Sequence, residues 1–255
     1  MNSAGISNQS KGTPIQLPDT TQIWTYSLLI GSLFWIIALI LWWQGGIDKT
    51  ILFYFDPQRV SYAPIIALSK TLSSYGMAAI TILFILYLLF SKFIKSLDAP
   101  LTMYFYTICS YALSGIAGDI LKMVLDRPRP RITFGSELTL ISSSVAPAIP
   151  SGHATKSIAL LLPFLLLVGN ERSIHKAIKT IIALIGVGVC FSRIALGAHY
   201  LSDVLAGIGT ALVGLPLTML FANMVLRKST QEKLPALSIV WGLILLFLTL
   251  VFIAL

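Results

Sequence analysis

Seven apolar stretches divide the sequence, and each approaches the roughly 20 residues that a helix needs to cross the core of a bilayer. They lie near Trp24–Trp43, Gly76–Phe93, Leu101–Leu125, Gly152–Val168, Ile178–Leu196, Tyr200–Leu226 and Leu237–Leu255. Only 11% of the residues are charged, whereas a soluble domain carries about 25%. The sequence therefore predicts an all-α, polytopic membrane helical bundle.

The polar stretches between these runs predict how the chain is organised. Residues 1–22 are rich in Ser, Thr, Gln and Pro and have no basic stretch before the first apolar run, which predicts a flexible tail rather than a cleaved signal peptide. Residues 23–226 are expected to form the membrane-embedded core, and residues 227–255 a linker with an additional transmembrane helix. The mixed segment Gly45–Tyr75 predicts an extramembrane loop with a short interfacial helix at Ala63–Leu72.

The distribution of basic residues predicts the orientation. The net charge is +8, but no basic run or aromatic-interleaved patch indicates nucleic acid. One side of the predicted membrane holds nine basic residues: Lys11, Lys92, Lys95, Arg172, Lys176, Lys179, Arg227, Lys228 and Lys233. Outside the polar segments described next, the other side holds only Lys49, Arg59 and Lys70. The positive-inside rule then predicts that the N-terminus lies in the cytoplasm. The protein is expected in the cell (inner) membrane.

Nearly all polar residues at membrane depth fall in three segments. Lys122–Pro130 leaves the third apolar run, Pro150–His153 opens the fourth, and Ser192–Asp203 joins the fifth to the sixth. Because successive spans alternate in direction, all three segments are expected on one face of the membrane, the outer (periplasmic or extracellular) face. The span count thus predicts a single site.

The cations in these segments indicate an anionic ligand. Lys122, Arg129 and Arg193 would repel one another where burying charge is already costly. A guanidinium fork and an ammonium group suit phosphate oxygens. Ser151 and Gly152 stand at a predicted helix start, where backbone N–H groups point toward an anion. The pattern favours a phosphoryl group.

Two of the three histidines in the chain lie in the same segments. A helix places His199 and Asp203, four residues apart, on one face. The carboxylate can accept the Nδ1 proton and leave Nε2 as a nucleophile. His153, from another helix, is placed to protonate the leaving oxygen and later to activate water. This set predicts a covalent phosphohistidine on His199.

The pattern Lys-x6-Arg-Pro, Pro-Ser-Gly-His, Ser-Arg-x5-His-x3-Asp resembles the three-part signature of the type 2 phosphatidic acid phosphatase superfamily. All eleven specified positions match, in order, within Lys122–Asp203. The resemblance implies a six-helix core over Trp24–Leu226, with the seventh helix as an addition. It also implies metal-independent hydrolysis of a lipid phosphate or diphosphate, without a cofactor. Phosphate contacts are implied for Lys122, Arg129, Ser151, Gly152, His153 and Arg193.

Three further residues are candidates for secondary roles. Arg127 is expected either to hold an anionic headgroup or to snorkel at the interface. Lys156 lies one turn beyond His153 and would contact a second phosphate or pair with Asp119. Asp119 lies one turn before Lys122 and is expected to position it. His175 falls in a charged loop and is expected to be solvated.

Two other functions fit part of the pattern. A phosphotransferase would use the same phosphohistidine but pass the group to another lipid or to a sugar. A transporter of anionic substrates would explain intramembrane charge, although transport sites usually lie near the midplane at broken helices. Phosphatidic acid, phosphatidylglycerol phosphate, a polyprenyl diphosphate and lipid A are all compatible substrates. A metal site is disfavoured because the segments supply cations where a metal would need carboxylates.

Overall fold

A computed structural model describes residues 21–55, 63–91, 102–137, 145–167 and 173–227, together with positions 240 and 244. These residues form eight α-helices and contain no β-strand. In chain order the helices are α1 (Thr21–Gln44), α2 (Gly46–Tyr54), α3 (Ala63–Ser91), α4 (Thr102–Leu125), α5 (Pro130–Phe134), α6 (Gly152–Leu167), α7 (Ser173–Ala195) and α8 (Leu201–Leu226).

The long helices form a bundle that spans the membrane. In the described parts of the chain, α1, α3, α4, α7 and α8 are long and apolar enough to cross a bilayer, and α6 is a shorter apolar helix. Exposed Ile, Leu and Phe side chains along α1 and α7 provide the apolar outer surface that lipid requires. The predicted all-α membrane bundle is therefore confirmed, and the chain is an integral multi-pass membrane protein.

Helix α6 lies at the centre of the packing. It contacts α4, α7 and α8, while α1 packs on α8 and α3 packs on α7. The main core cluster includes Phe84 of α3, Tyr104 of α4, Phe164 of α6 and Ile182 of α7. This core packs between α3, α4, α6 and α7 and fixes the positions of these helices relative to one another.

Two predictions made for the polar stretch after α1 were wrong. The predicted interfacial helix at Ala63–Leu72 is the first part of α3, which continues without a break to Ser91. Asp48 and Lys49, two of the charged residues before it, lie in α2, and Asp48 is buried. Arg127 and Ser202, both distant in sequence, bind Asp48, a tertiary effect that the composition of a loop does not reveal. The predicted tail at 1–22 and seventh helix at Leu237–Leu255 lie almost wholly outside the described residues.

Small residues allow α1 to pack closely on α8. A Cβ atom added at Gly209 would lie 2.8 Å from Trp35 Cδ1 and 2.9 Å from the carbonyl oxygen of Gly31. A Cβ atom at Gly31 would lie 2.9 Å from the backbone nitrogen of Val213. Because backbone atoms line both contacts, neither can relax by a side-chain rotation. The glycines set the distance between the two helices.

Replacing Gly209 with Ala should therefore destabilise the bundle. We expect a loss of about 1–3 kcal/mol, since the added methyl group forces α1 away from α8. Gly46→Ala is the matched control because a Cβ atom there meets nothing within 4 Å. The melting temperature in detergent should fall for Gly209→Ala and not for Gly46→Ala; equal temperatures would contradict the close packing.

Candidate active site

The three polar segments meet at one end of the bundle. They occupy the C-terminal end of α4, the N-terminal end of α6, and the turn between α7 and α8. The backbone N–H of Ser151 donates to the carbonyl of Asp203 at 2.9 Å, and that of Ala148 donates to the carbonyl of Arg127 at 2.8 Å. Backbone hydrogen bonds thus join all three segments directly.

The chain turns sharply after α4. Asp126 adopts φ 38°, a left-handed conformation that Asp tolerates better than most residues. Arg127 precedes Pro128, which disfavours helical backbone at Arg127 and prevents α4 from continuing. Arg129 is extended and N-caps α5, with Pro130 at the first helical position. This turn directs Arg127 and Arg129 into the bundle rather than along the axis of α4.

The start of α6 lies close to both α4 and α8. A Cβ atom at Gly152 would lie 3.0 Å from Nζ of Lys122, so the ammonium group lies against the first turn of α6. A Cβ atom at Gly207 would lie 2.8 Å from the carbonyl oxygen of Ser151. The hydroxyl of Ser151 is buried and has no hydrogen-bond partner among the described residues. A positive charge and an unpaired donor therefore lie together at a helix N-terminus.

A glycine turn brings His199 back onto α7. Gly197 has φ 62°, the left-handed conformation that commonly ends a helix. The N–H groups of Ala198 and His199 both donate to the carbonyl of Arg193, at 3.0 and 3.1 Å. Arg193 and His199 are thereby held in one compact turn.

His199 lies beside Asp203 in the interior. The distance from Nδ1 to Asp203 Oδ2 is 3.4 Å, and both side chains are fully buried. Nδ1 has no geometrically satisfactory hydrogen bond within the described chain, and such contacts in ligand-free sites often tighten only when substrate binds. Asp203 Oδ2 also accepts the backbone N–H of Tyr200 at 2.9 Å, which holds the carboxylate at the start of α8.

The surroundings of His199 favour the neutral imidazole. Burial, followed by the charges of Arg129, Arg193 and Lys122, holds its pKa well below the ordinary range, and a hydrogen bond to the backbone of Ala148 opposes this shift. These cations therefore act on the ring from two of the three polar segments, Lys122–Pro130 and Ser192–Asp203. A neutral imidazole retains the lone pair that a nucleophile requires.

The three cations have few anionic partners. Arg193 donates to the hydroxyl of Ser73 on α3, and its Nε has no partner in the described structure. Arg129 donates through Nε to the carbonyl of Ala146 at 2.7 Å. Lys122 pairs with Asp119 at 3.7 Å, but the Asp119 side chain is 61% exposed. Their positive charge is therefore poorly neutralised by the protein itself.

Arg127 has a different environment from the one predicted. It does not snorkel at the interface, because only 6% of its surface is exposed, and the headgroup contact stays a prediction. Its guanidinium donates to Asp203 Oδ1 at 2.7 Å and to Asp48 Oδ2 at 2.8 Å. The ring of Tyr200 lies 4.0 Å from its central carbon. The snorkelling prediction failed because the carboxylates that bind Arg127, those of Asp48 and Asp203, are distant in sequence.

The other secondary candidates lie near the cations. Asp119 forms the expected ion pair with Lys122. Lys156 lies against Gly115 of α4, where an added Cβ atom would be 3.0 Å from its Cε. The charge of Asp119 also reaches Lys156. The charge of Asp119 thus acts on both lysines, while a pair with Asp119 and a second phosphate contact both stay predictions for Lys156.

His175 is not the solvated residue that its charged neighbours predicted. It lies near the start of α7, 5% exposed, with its ring centroid 6.3 Å from that of Tyr87. It is on the opposite end of the bundle from His199. Packing between α3 and α7 buries it, which a run of charged neighbours does not reveal.

Sequence patterns missed four residues that contact the site. Asp48 and Ser202 bind Arg127, Ser73 binds Arg193, and the backbone of Ala146 binds Arg129. None of these four residues belongs to a motif, and none stands at a sequence spacing that is typical of one. The only available indication was the scarcity of acidic residues, which made Asp48 a candidate partner for a buried cation.

A separate cavity of about 430 Å³ opens beside this site. Trp42, Lys49, Arg127, Phe134 and Tyr200 are among its lining residues, and none of the eleven motif positions is. Arg127 and Tyr200 therefore line this cavity while also contacting Asp203. Among the described residues, no group of three or more His, Cys, Asp or Glu side chains is arranged to hold a metal ion.

The low pKa of His199 predicts that acidification destabilises the protein. In the unfolded chain His199 should titrate near its ordinary pKa of about 6.5. Below that pH the unfolded state binds more protons than the folded state, so stability falls as pH decreases. Between about pH 7.5 and 5.5, a window that brackets this ordinary pKa, the melting temperature should fall less for His199→Asn than for the wild type. An identical decrease would contradict a buried neutral His199.

Comparison with known proteins agrees with this geometry. The family model of the PAP2 superfamily matches residues 103–227, which contain all three polar segments. The fold resembles that of the first transmembrane PAP2 type phosphatidylglycerolphosphate phosphatase from Bacillus subtilis, with a TM-score of 0.56 and 19% identity over 78% of this chain and 98% of that one. No curated protein matches the sequence. Residues 103–227 thus match the PAP2 superfamily, the family that the motifs of this chain resemble.

Proposed function

We propose that this protein is a lipid phosphatase that hydrolyses a phosphate monoester or diphosphate of a membrane lipid through a phosphohistidine on His199. One observation carries the proposal. A buried histidine with a lowered pKa lies beside a carboxylate, and three poorly neutralised cations from α4, the turn after α4, and α7 act on it. The similar Bacillus subtilis protein, a phosphatidylglycerolphosphate phosphatase by name, supports a lipid phosphate as substrate.

The cations provide the binding site for the phosphoryl group. Arg129 and Arg193 present guanidinium groups, and Lys122 presents an ammonium group beside Gly152. The buried hydroxyl of Ser151 adds a neutral donor. Together with the first backbone N–H groups of α6, these donors match the oxygens of a phosphate. During attack on phosphorus they stabilise the charge on the equatorial oxygens.

The first chemical step forms the phosphoenzyme. The Nε2 lone pair of His199 attacks phosphorus, and the bond between phosphorus and the lipid oxygen breaks. His153 transfers a proton to the departing oxygen, so that the lipid leaves as an alcohol, or as a monophosphate when the substrate is a diphosphate. Asp203 accepts the Nδ1 proton in a hydrogen bond and stabilises the positive charge that develops on the ring.

The second step releases phosphate. Water attacks phosphorus while His153, now neutral, takes its proton, and the P–N bond breaks to restore His199. The charge stabilisation that a metal ion provides in other phosphatases comes here from side-chain cations, which supports a metal-independent reaction. An alcohol that replaced water in this step would make the enzyme a phosphotransferase.

The active site is proposed to open on the outer face of the cell membrane. Described basic residues at the opposite end of the bundle include Lys176, Lys179 and Arg227. The positive-inside rule favours the cytoplasm for that end. The substrate would then be a lipid whose phosphate lies in the outer leaflet.

Loss of the nucleophile should abolish phosphate release. We expect His199→Ala to reduce kcat by on the order of 10⁴-fold or more against a panel of lipid monophosphates and diphosphates in detergent. The assay contains a chelator and measures inorganic phosphate. His175→Asn is the matched control, since that histidine lies at the other end of the bundle.

Two results would contradict this mechanism. Activity that persists in His199→Ala would exclude the phosphohistidine, and wild-type activity lost to the chelator would indicate a metal. The substrate lipid carries a radiolabel in its phosphate group, and the reaction is quenched with alkali. The label should stay on the wild-type protein and not on His199→Ala. Omitting any lipid or sugar acceptor separates a hydrolase from a transferase, because only a hydrolase then releases inorganic phosphate in every turnover.

The orientation can be tested with single cysteines. Cys109 and Cys190 are both buried, so a new exposed thiol dominates labelling. Arg131→Cys lies at the active-site end, and Lys176→Cys, the matched control, lies at the opposite end. In intact cells a membrane-impermeant maleimide should label Arg131→Cys alone. Labelling of Lys176→Cys alone would reverse the orientation.

A further inference from the structure

We infer that Arg127 is a positioning residue for the His199–Asp203 pair and that Asp48 holds Arg127 in place. This inference rests on the proposed function, because it assigns a role in the same reaction. Arg127 and Asp48 both lie outside the eleven motif positions. The Asp48–Arg127–Asp203 bridge, named for its three side chains, links α2, the turn after α4, and α8.

The bridge fixes which oxygen of Asp203 faces His199. Arg127 Nη1 occupies Oδ1 at 2.7 Å. The other oxygen, Oδ2, receives the N–H of Tyr200 and faces Nδ1 of His199. With Oδ1 bound, the carboxylate cannot rotate without losing a buried ion pair. Arg127 therefore sets the hydrogen-bonding direction that keeps the Nδ1 proton in place and Nε2 free.

Asp48 fixes Arg127 from the other side. Its Oδ2 accepts Nη2 of Arg127 at 2.8 Å, and its Oδ1 accepts the backbone N–H of Ser202 at 3.0 Å. The hydroxyl of Ser202 bridges the two groups, accepting from Arg127 and donating to Asp48. Asp48 thus caps the first turn of α8 from a different helix. The start of α8, and Asp203 with it, is tied to α2.

The surroundings of Arg127 distinguish it from the phosphate-binding cations. Its guanidinium carbon lies over the rings of Tyr200 and Trp42, with centroids 4.0 and 5.2 Å away. Two buried carboxylates neutralise it, whereas Arg129, two residues later, donates to a neutral backbone carbonyl. A guanidinium that contacts two aromatic rings and pairs with two buried carboxylates is built to hold a position. It is not built to receive a substrate.

Replacing Arg127 and replacing Arg129 should therefore change different kinetic constants. Arg127→Ala should lower kcat about 10- to 100-fold, the range seen when the outer partners of metal ligands are removed. Its KM and its inhibition constant for inorganic phosphate should not change. Arg129→Met should raise both of these constants. Arg131→Met, an exposed arginine of α5, is the matched control and should retain wild-type kinetics.

The cavity beside Arg127 permits chemical rescue. Because it is lined by Arg127 and not by motif residues, free guanidinium ion can reach the space that Arg127→Ala creates. Guanidinium at non-denaturing concentrations should restore part of the lost kcat in Arg127→Ala and none in Arg129→Met. Arg127→Lys, which retains charge without the two-nitrogen fork, should show an intermediate kcat. A purely structural role would not produce rescue in an already folded protein.

Defined outcomes separate this inference from the proposed function. A wild type inactive on every lipid phosphate, or an active His199→Ala, overturns the proposed function itself. An active wild type with unchanged kcat in both Arg127→Ala and Arg127→Lys overturns only the positioning role. The positioning role is also overturned if the inhibition constant for phosphate rises as much in Arg127→Ala as in Arg129→Met. If Arg127→Ala fails to fold, Asp48→Asn replaces it, with reduced kcat expected and unchanged kcat overturning the inference.

Discussion

The ion pair between Arg127 and Asp203 joins the segments on which the site depends. Its atoms are 2.7 Å apart and almost completely buried. A charge removed from water in a membrane protein requires an opposite charge or a hydrogen-bonding partner. Asp203 obtains that partner from the turn after α4, and Arg127 obtains a second one from Asp48 on α2. Three chain segments are thereby held at one end of the bundle around His199.

The cations at this end fall into two groups with different neutralisation. Arg127 is matched by carboxylates, and it can be buried without any ligand. Arg129 and Arg193 contact a carbonyl and a hydroxyl, while the carboxylate beside Lys122 is largely exposed. Mutual repulsion within the second group decreases when an anion binds among them. The fold thus combines a neutralised scaffold with a cationic site suited to phosphate.

Much of this arrangement could be predicted from the sequence, and the errors share a cause. Hydropathy identified the described long helices, and their alternation placed Lys122, His153 and His199 at one end. The solvated state predicted for His175 and the snorkelling predicted for Arg127 were wrong. Both residues have charged neighbours in sequence, but helices distant in the chain bury them. Local composition describes what surrounds a residue along the chain, whereas burial depends on what packs against it.

The amino-acid sequence alone specifies the membrane-spanning helices, the motif residues, and the fact that these residues share one end of the bundle. Those properties follow from apolar run length and from the alternating direction of spans, which need no knowledge of packing. Only the tertiary structure decided which arginine pairs with Asp203 and which is left for an anion. Asp48 and Arg127 are 79 residues apart, and Arg127 and Asp203 are 76 apart. Such pairs form only after the helices have packed, because packing sets the distances that side chains must span.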